Sequence, residues 1–247
     1  MKRVFCDTNI WYGIAEGRTE IPKDIQLCTP ITVVEELAIT PNQEKDPVLV
    51  KKAIQIAMTH SIVNEVPPFH LIASLDGYGT SMADYTNVEG FLKYTKLMAG
   101  NKITAEFFEA TREYRKSRKA DYKKAAAVFN EVVNQAKALN PNKREHWLLD
   151  TTKDNRNLIK MWVKQATDHQ LSDTFDWSQI EFFEDTMNYY FKELTLSQKN
   201  VKQNDIVDFL NTVYIQPSYQ YWCLDKPWQR VFQNAKMSKY LFELIEL

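Results

Sequence analysis

The chain has 247 residues, of which 44% are hydrophobic and 26% are charged, a composition typical of globular proteins that excludes disordered and fibrous classes. Its 31 Lys and Arg residues balance 32 Asp and Glu residues, leaving a net charge of -1, which excludes a uniformly basic nucleic-acid-binding protein but not a local basic surface. Glycine is scarce, with six in the chain and none after Gly100. Since neither dinucleotide-binding nor P-loop glycine motifs occur, we do not expect those chemistries.

The sequence also indicates in which cellular compartment the protein is located. No apolar run approaches the roughly 18–20 residues that a membrane-spanning helix needs, and Asp7 interrupts the apolar start of the chain, which is not typical of a signal peptide. The cysteines Cys6, Cys28 and Cys223 are odd in number and lack C-x-x-C spacing, so neither a disulfide framework nor a zinc site is predicted. We therefore expect a cytoplasmic protein with reduced thiols and no membrane partner.

The N-terminal part alternates between strand-like and helix-like segments. Residues 3–7 form a short apolar run that ends in an acid and predicts a buried strand, followed by a turn and a helix. A second strand is predicted at 25–31, with a helix beginning near Thr32. A further helix is predicted at 47–60, where proline occupies the first turn and apolar residues recur at helical spacing.

The middle and the end of the chain differ in character. Residues 82–199 contain a single proline and, after Gly100, no glycine, which favours helices at 104–139, 143–167 and 178–194. The end returns to alternation, with a helix predicted at 204–214, a strand at 219–224, a helix at 226–235 and a strand at 240–245. The pattern predicts an α/β fold whose parallel sheet is assembled from both ends, residues 1–75 and 196–247, with residues 76–195 as an all-helical insertion subdomain.

Acidic residues follow the predicted strands at the points where ligands gather in open parallel sheets. Asp7 and Asp225 each end a strand, Glu36 lies in the first turns of the helix after the second strand, and Asp205 and Asp208 share one helix face. Helix capping would explain any one of these acids, but not their concurrence at every such position. Converging carboxylates need counter-charge. Because no Cys/His set accompanies them, one or two Mg²⁺ or Mn²⁺ ions fit better than zinc.

Four segments resemble, in order, the motifs of PIN-domain nucleases. Residues 4–9 (VFCDTN) are similar to the opening strand ended by Asp, and residues 30–37 (PITVVEEL) to the second motif, in which an acid precedes Leu. Residues 204–210 (NDIVDFL) resemble the third motif, and residues 221–226 (YWCLDK) resemble the fourth, an apolar strand that ends in T-x-D. The resemblance covers the two ends of the chain and leaves the middle unexplained.

Three details separate the chain from the family pattern or leave a choice within it. Cys223 stands where the family usually has Thr or Ser, so a hydroxyl that would orient the substrate or the last acid is missing. Asp205 is preferred over Asp208 because it follows the turn. Glu36 is preferred over Glu35 because a leucine follows it, as in the family.

The resemblance implies a three-layer α/β/α Rossmann-like PIN core and a metal-dependent endoribonuclease that leaves a 5′-phosphate and a 3′-hydroxyl. Thr8 and Asn9 would support Asp7 or contact a phosphate. The implied catalytic residues, which also hold the metal together with Asp208, are Asp7, Glu36, Asp205 and Asp225.

A basic segment in the predicted insertion is a candidate nucleic-acid-binding surface. Residues 112–124 (REYRKSRKADYKK) carry seven cations with two tyrosines between them, a pattern that suits phosphate contacts and base stacking, although a solvated helix face would look the same. The candidates are Arg112, Arg115, Lys116, Arg118, Lys119, Lys123 and Lys124.

Other interpretations stay open. A phosphatase that forms an aspartyl-phosphate would need a second Asp where Asn9 stands. A catalytically inactive PIN-like module for protein or RNA interaction and a structure-specific DNA nuclease both fit the motifs. The family resemblance further allows a homodimer, or a toxin restrained by an inhibitory protein partner.

Overall fold

The computed structural model describes residues 2–40, 42–79, 112–139, 151–197 and 199–243. The predicted helices at 104–139 and 143–167 begin outside these residues, and the strand predicted at 240–245 ends outside them. The side chain of Arg115, one of the candidate nucleic-acid-binding residues, also lies outside the described part.

Four strands form one parallel sheet in the spatial order β3-β2-β1-β4. They are β1 Lys2–Cys6, β2 Ile25–Pro30, β3 Ser61–Asn64 and β4 Tyr219–Trp222. The strands predicted at 3–7, 25–31 and 219–224 are thus confirmed to within two residues, and so is the α/β class with a parallel sheet. Strand β3 was not predicted from the sequence, because this edge strand has only four residues and its Ile62 side chain is exposed.

Ten α-helices surround the sheet in the described part of the chain, and none of them is both long and apolar enough to span a bilayer. They are α1 Thr8–Ala15, α2 Ile31–Ile39, α3 Asn42–Lys45, α4 Pro47–His60, α5 Pro68–Leu75, α6 Arg112–Ala138, α7 Thr152–Thr167, α8 Glu181–Leu196, α9 Gln203–Asn211 and α10 Lys226–Asn234.

Local signals set several helix boundaries. Helix α4 has the predicted bounds because Asp46 accepts a hydrogen bond from the Leu49 N–H at its start and proline follows at the first position. The helix predicted at 204–214 is an α-helix only as far as Asn211, the end of α9, and the chain continues as the short 3₁₀ helix Thr212–Tyr214. The last predicted strand, at 240–245, is represented in the described residues by a single parallel bridge between Leu241 and Tyr221.

The strand order places a crevice between β1 and β4. Strand β1 pairs with β2 on one side and with β4 on the other. The chain therefore runs outward from β1 to β3 and later returns to the far side of β1. Such a reversal opens a crevice at the carboxyl ends of the two strands that flank it, where open α/β sheets bind ligands.

The described helices between residues 112 and 196 share the hydrophobic core of the sheet. Phe182 of α8 packs against Tyr221 of β4 and Phe232 of α10, with ring centroids 6.1 and 5.0 Å apart. Phe129 of α6 packs edge-on against Phe209 of α9 at 5.5 Å. These rings belong to one continuous buried cluster, and the boundaries predicted for the insertion at 76–195 stay a prediction.

A buried ion pair joins α2 to α6. Glu35 is 6% exposed, and its Oε2 accepts hydrogen bonds from the guanidinium of Arg118 at 2.7 Å and from the hydroxyl of Tyr122 at 2.9 Å. A carboxylate removed from water is tolerated when it is paired in this way. Glu35 is therefore turned toward α6, and Arg118 is a packing contact rather than a solvated cation.

Replacing Arg118 with Ala should lower the free energy of unfolding by about 3 kcal/mol, because the Glu35 carboxylate would stay buried without its guanidinium partner. Denaturant unfolding measures the change. Lys119→Ala is the matched control, since this neighbouring side chain is exposed and should contribute less than about 0.5 kcal/mol. Equal stability of the two variants would show that the pair does not hold α6 in place.

Candidate functional site

Asp7 lies at the seam between the two strands that flank the crevice. Its N–H donates to the Trp222 carbonyl of β4 at 3.0 Å, and its side chain is 1% exposed. Oδ1 accepts a hydrogen bond from the Thr8 N–H at 2.8 Å and so caps α1. Oδ2 lies 3.4 Å from the side-chain nitrogen Nδ2 of Asn9 and 3.7 Å from the thiol of Cys223. Capping thus uses one carboxylate oxygen of Asp7, and the other oxygen faces Asn9 and Cys223.

Glu36 is connected to Asp7 through Thr8. The Thr8 hydroxyl donates to Oε2 of Glu36, while the Thr8 N–H donates to Asp7. One residue therefore orients two acids that come from different parts of the chain. The Cys223 thiol, at the position where the PIN resemblance expects a hydroxyl, contacts Asp7 as a weak donor.

Asp208 and Asp225 are held by the same tryptophan. The indole N–H of Trp228 donates to Oδ2 of Asp208 at 2.8 Å, and the backbone N–H of Trp228 donates to Oδ1 of Asp225 at 3.1 Å. Asp225 thereby caps α10. Trp228 was not among the residues predicted from the sequence. Its one local signal is its place three residues after a capping acid, which does not indicate the contact with Asp208.

Burial and the charge of neighbouring acids raise the pKa of three of these carboxyl groups. Burial, and next the charge of Asp225, raise the pKa of Asp7 from 3.8 to about 6. Burial and the charge of Asp7 raise the pKa of Glu36 from 4.5 to about 7. Burial, followed by the charges of Asp7, Glu36 and Asp225, raises the pKa of Asp208 well above its usual range.

Within the described residues, no Lys, Arg or His side chain forms an ion pair with any of these acids. The largest contributions that oppose the raised pKa values are hydrogen bonds from Thr8, Asn9, Cys223 and Trp228, not the charge of a Lys or Arg side chain. We name the four residues together the acid cluster: Asp7, Glu36, Asp208 and Asp225.

Asp205, the acid preferred in the third motif, lies outside the acid cluster. Its Oδ2 accepts from the Tyr190 hydroxyl at 2.9 Å and from the Lys202 N–H at 2.8 Å. The first-turn position that favoured Asp205 in the sequence commits its carboxylate to capping α9. The structure thus places Asp208, one turn further along the same helix, with the other acids.

The acid cluster suits a hard divalent cation in its chemistry but not in its present spacing. Its ligand atoms are carboxylate oxygens, which Mg²⁺ and Mn²⁺ prefer. In the described part of the chain, however, no three His, Cys, Asp or Glu side chains lie close enough together to ligate one ion as they stand. Repulsion between carboxylates favours such a separation, and an ion would require them to rotate inward.

The basic segment is only partly available to a polyanion. Arg118 pairs with Glu35, and Lys116 pairs with Glu113 at 2.7 Å on the exposed face of α6. The other exposed cations of the segment whose side chains the structure describes are Arg112, Lys119, Lys123 and Lys124.

The chain matches no protein-family model, no curated protein and no solved structure. The resemblance of the four segments to PIN-domain motifs therefore rests on the residues themselves.

Replacing Asp208 with Asn should stabilise the metal-free protein at neutral pH. Raised carboxyl pKa values mean that the folded state keeps protons which the unfolded state has released, so the stability contributed by the acid cluster falls as pH rises between about 4 and 7. Asn removes one charge and keeps an acceptor for the Trp228 indole. Thermal unfolding in a chelator should show a higher Tm at pH 7, about 2–4 °C for each kcal/mol gained, and a smaller gain at pH 5.

Asp205→Asn is the matched control, since this residue lies on the same helix outside the acid cluster. It should give no gain in Tm that grows with pH. A gain of equal size in both variants would mean that general surface charge, and not the acid cluster, is responsible.

Proposed function

We propose that this protein is a Mg²⁺- or Mn²⁺-dependent nuclease of the PIN type, with RNA as its substrate and endonucleolytic cleavage as its reaction. The observation that carries the proposal is the convergence of Asp7, Glu36, Asp208 and Asp225 at one crevice. The pKa values of Asp7, Glu36 and Asp208 are raised, and none of the four acids forms an ion pair with a Lys or Arg side chain in the described part of the chain.

Helix capping explains Asp7 and Asp225, but it does not explain why Glu36 and Asp208 lie beside them. Carboxylates that share a desolvated site destabilise the fold in which they lie, and perturbed titrations of this kind are typical of functional sites. The crevice between β1 and β4 is also the place where a sheet of this topology is expected to bind its ligand. Both arguments favour a cationic ligand over a purely structural role.

Hydrogen bonds from Thr8, Trp228 and Asn9 would hold the acids in position for the reaction. Thr8 holds Asp7 and Glu36 at fixed positions, and Trp228 does the same for Asp208 and Asp225. When bound, one or two divalent ions supply positive charge against the phosphodiester and lower the pKa of an attacking water. Asn9 lies beside Asp7 and is placed to support that carboxylate.

A non-catalytic interaction module is the second candidate. Two observations favour it: the described carboxylates are not at ligating distances as they stand, and Cys223 replaces the expected hydroxyl. A structure-specific DNA nuclease would use the same acids. The homodimer, the inhibitory partner and the cytoplasmic location stay predictions.

Titration calorimetry with Mn²⁺ tests the metal site. The wild type and Asp205→Asn should bind the ion, whereas Asp208→Asn should bind at least about tenfold more weakly, since it removes one anionic ligand from the acid cluster. The titration is repeated with RNA present, because substrate phosphates can complete the coordination of such ions. If the wild type binds no Mn²⁺ in either experiment, the nuclease proposal fails and the interaction module becomes the better explanation.

Cleavage of labelled RNA tests the reaction. Asp7→Asn keeps the Thr8 hydrogen bond and the cap of α1 but loses the charge, so turnover in Mn²⁺ should fall by at least about 100-fold while circular dichroism stays unchanged. A parallel assay on single-stranded and duplex DNA distinguishes an RNA nuclease from a DNA nuclease. Wild-type activity in Asp7→Asn would contradict the assignment.

A further inference from the structure

A cavity of about 520 Å³ opens beside the acid cluster. Its walls come from α8, from residues 199–202, from the start of α9 and from α10. Its lining includes Tyr189, Tyr190, Lys202, Lys226, Trp228 and Arg230. A volume of this size lies within the range of small-ligand sites, and it accommodates a single nucleotide but not a double helix.

The rim of this cavity is basic. Lys202, Lys226 and Arg230 are exposed, and none of the three forms an ion pair with any residue in the described ranges. A fourth cation, Lys199, pairs with Glu193 at 3.2 Å. In a chain whose net charge is -1, such a group of cations favours an anionic ligand.

The inner wall of the cavity is aromatic. The ring of Tyr190 lies 5.1 Å from that of Trp228, which in turn stacks on Phe232 at 5.7 Å. Trp228 is 6% exposed, whereas Tyr189 and Tyr190 keep part of their surface open. Aromatic side chains beside cations are the elements that bind unpaired bases and their phosphates.

Trp228 connects this cavity to the acid cluster. Its ring lines the cavity, while its two N–H groups hold Asp208 and Asp225. A ligand in the cavity therefore lies next to the place where the proposed reaction occurs.

We infer that the cavity binds one nucleotide of a single-stranded nucleic acid, next to the nucleotide whose phosphate faces the acid cluster. The inference rests on the proposed function and specifies its substrate as unpaired. Bases inside a duplex are already stacked on one another, so only an unpaired base can stack on Tyr190. The rim cations are placed to contact the phosphates on either side of that base.

Fluorescence anisotropy with a labelled oligouridylate of about 8 nucleotides, in a chelator that prevents cleavage, tests the inference. Tyr190→Ala should weaken binding by about 5- to 100-fold, the range for removal of one base–aromatic stack. Tyr190→Phe, which keeps the ring and removes only the hydroxyl bonded to Asp205, should stay within about twofold of the wild type.

Charge reversal tests the rim separately. Lys226→Glu combined with Arg230→Glu should weaken binding and reduce the slope of log affinity against log salt by about 0.7 for each phosphate that the variant no longer neutralises. Lys23→Glu combined with Lys52→Glu is the matched control, because both side chains are exposed and lie outside the cavity and the basic segment. It makes the same change in net charge and should leave binding close to that of the wild type. Thermal unfolding checks that each variant is folded.

Four results would overturn the inference. The first is unchanged binding by folded Tyr190→Ala and by the rim variant, and the second is equally weakened binding in the Lys23→Glu, Lys52→Glu control. The third is binding of duplex RNA or free uridine monophosphate as tight as that of the strand. The fourth is no binding of the strand by the wild type with or without Mn²⁺. Since the chelator assay measures neither metal binding nor turnover, a failure of this inference can be distinguished from a failure of the nuclease proposal.

Discussion

The parallel pairing of β1 with β4 is the constraint on which the rest of the structure depends. It brings together residues from opposite ends of the chain, and the Cys223 thiol meets the Asp7 carboxylate across 216 positions. The hydrogen bond from the Asp7 N–H to the Trp222 carbonyl fixes this seam at its carboxyl end. Because β1 and β4 are parallel neighbours at the point of reversal, the residues directly after each strand lie at the same crevice.

That crevice concentrates negative charge and thereby lowers stability, and a small number of hydrogen bonds limits the effect. Thr8 and Trp228 each serve two acids, one through the backbone and one through the side chain. The same arrangement fixes the positions of the carboxylates before any ligand arrives, which is the property that a binding or catalytic site requires. Stability and the proposed activity are therefore in opposition at Asp208.

Two consecutive acids of α2 illustrate how tertiary contacts divide the roles of similar residues. Successive side chains on a helix point about 100° apart, so Glu35 faces α6 and pairs with Arg118, whereas Glu36 faces Thr8 and Asp7. The ion pair that joins α6 to α2 thus also fixes the helix that carries Glu36. Arg118, a candidate for contact with nucleic acid, stabilises the fold instead.

Local patterns in the sequence determined the strands β1, β2 and β4, the helix α4 and the position of Asp7 and Asp225 at strand ends, because each depends on hydrophobic spacing and capping within a few residues. The choice between Asp205 and Asp208 was decided only by the tertiary structure, since it depends on whether Lys202 and Tyr190 or Trp228 reaches the carboxylate. The sequence likewise did not predict the edge strand β3, the pairing of Glu35 with Arg118 or the aromatic cavity beside Trp228. Each of them is defined by partners that are distant along the chain, and no local spacing records which distant residues will meet.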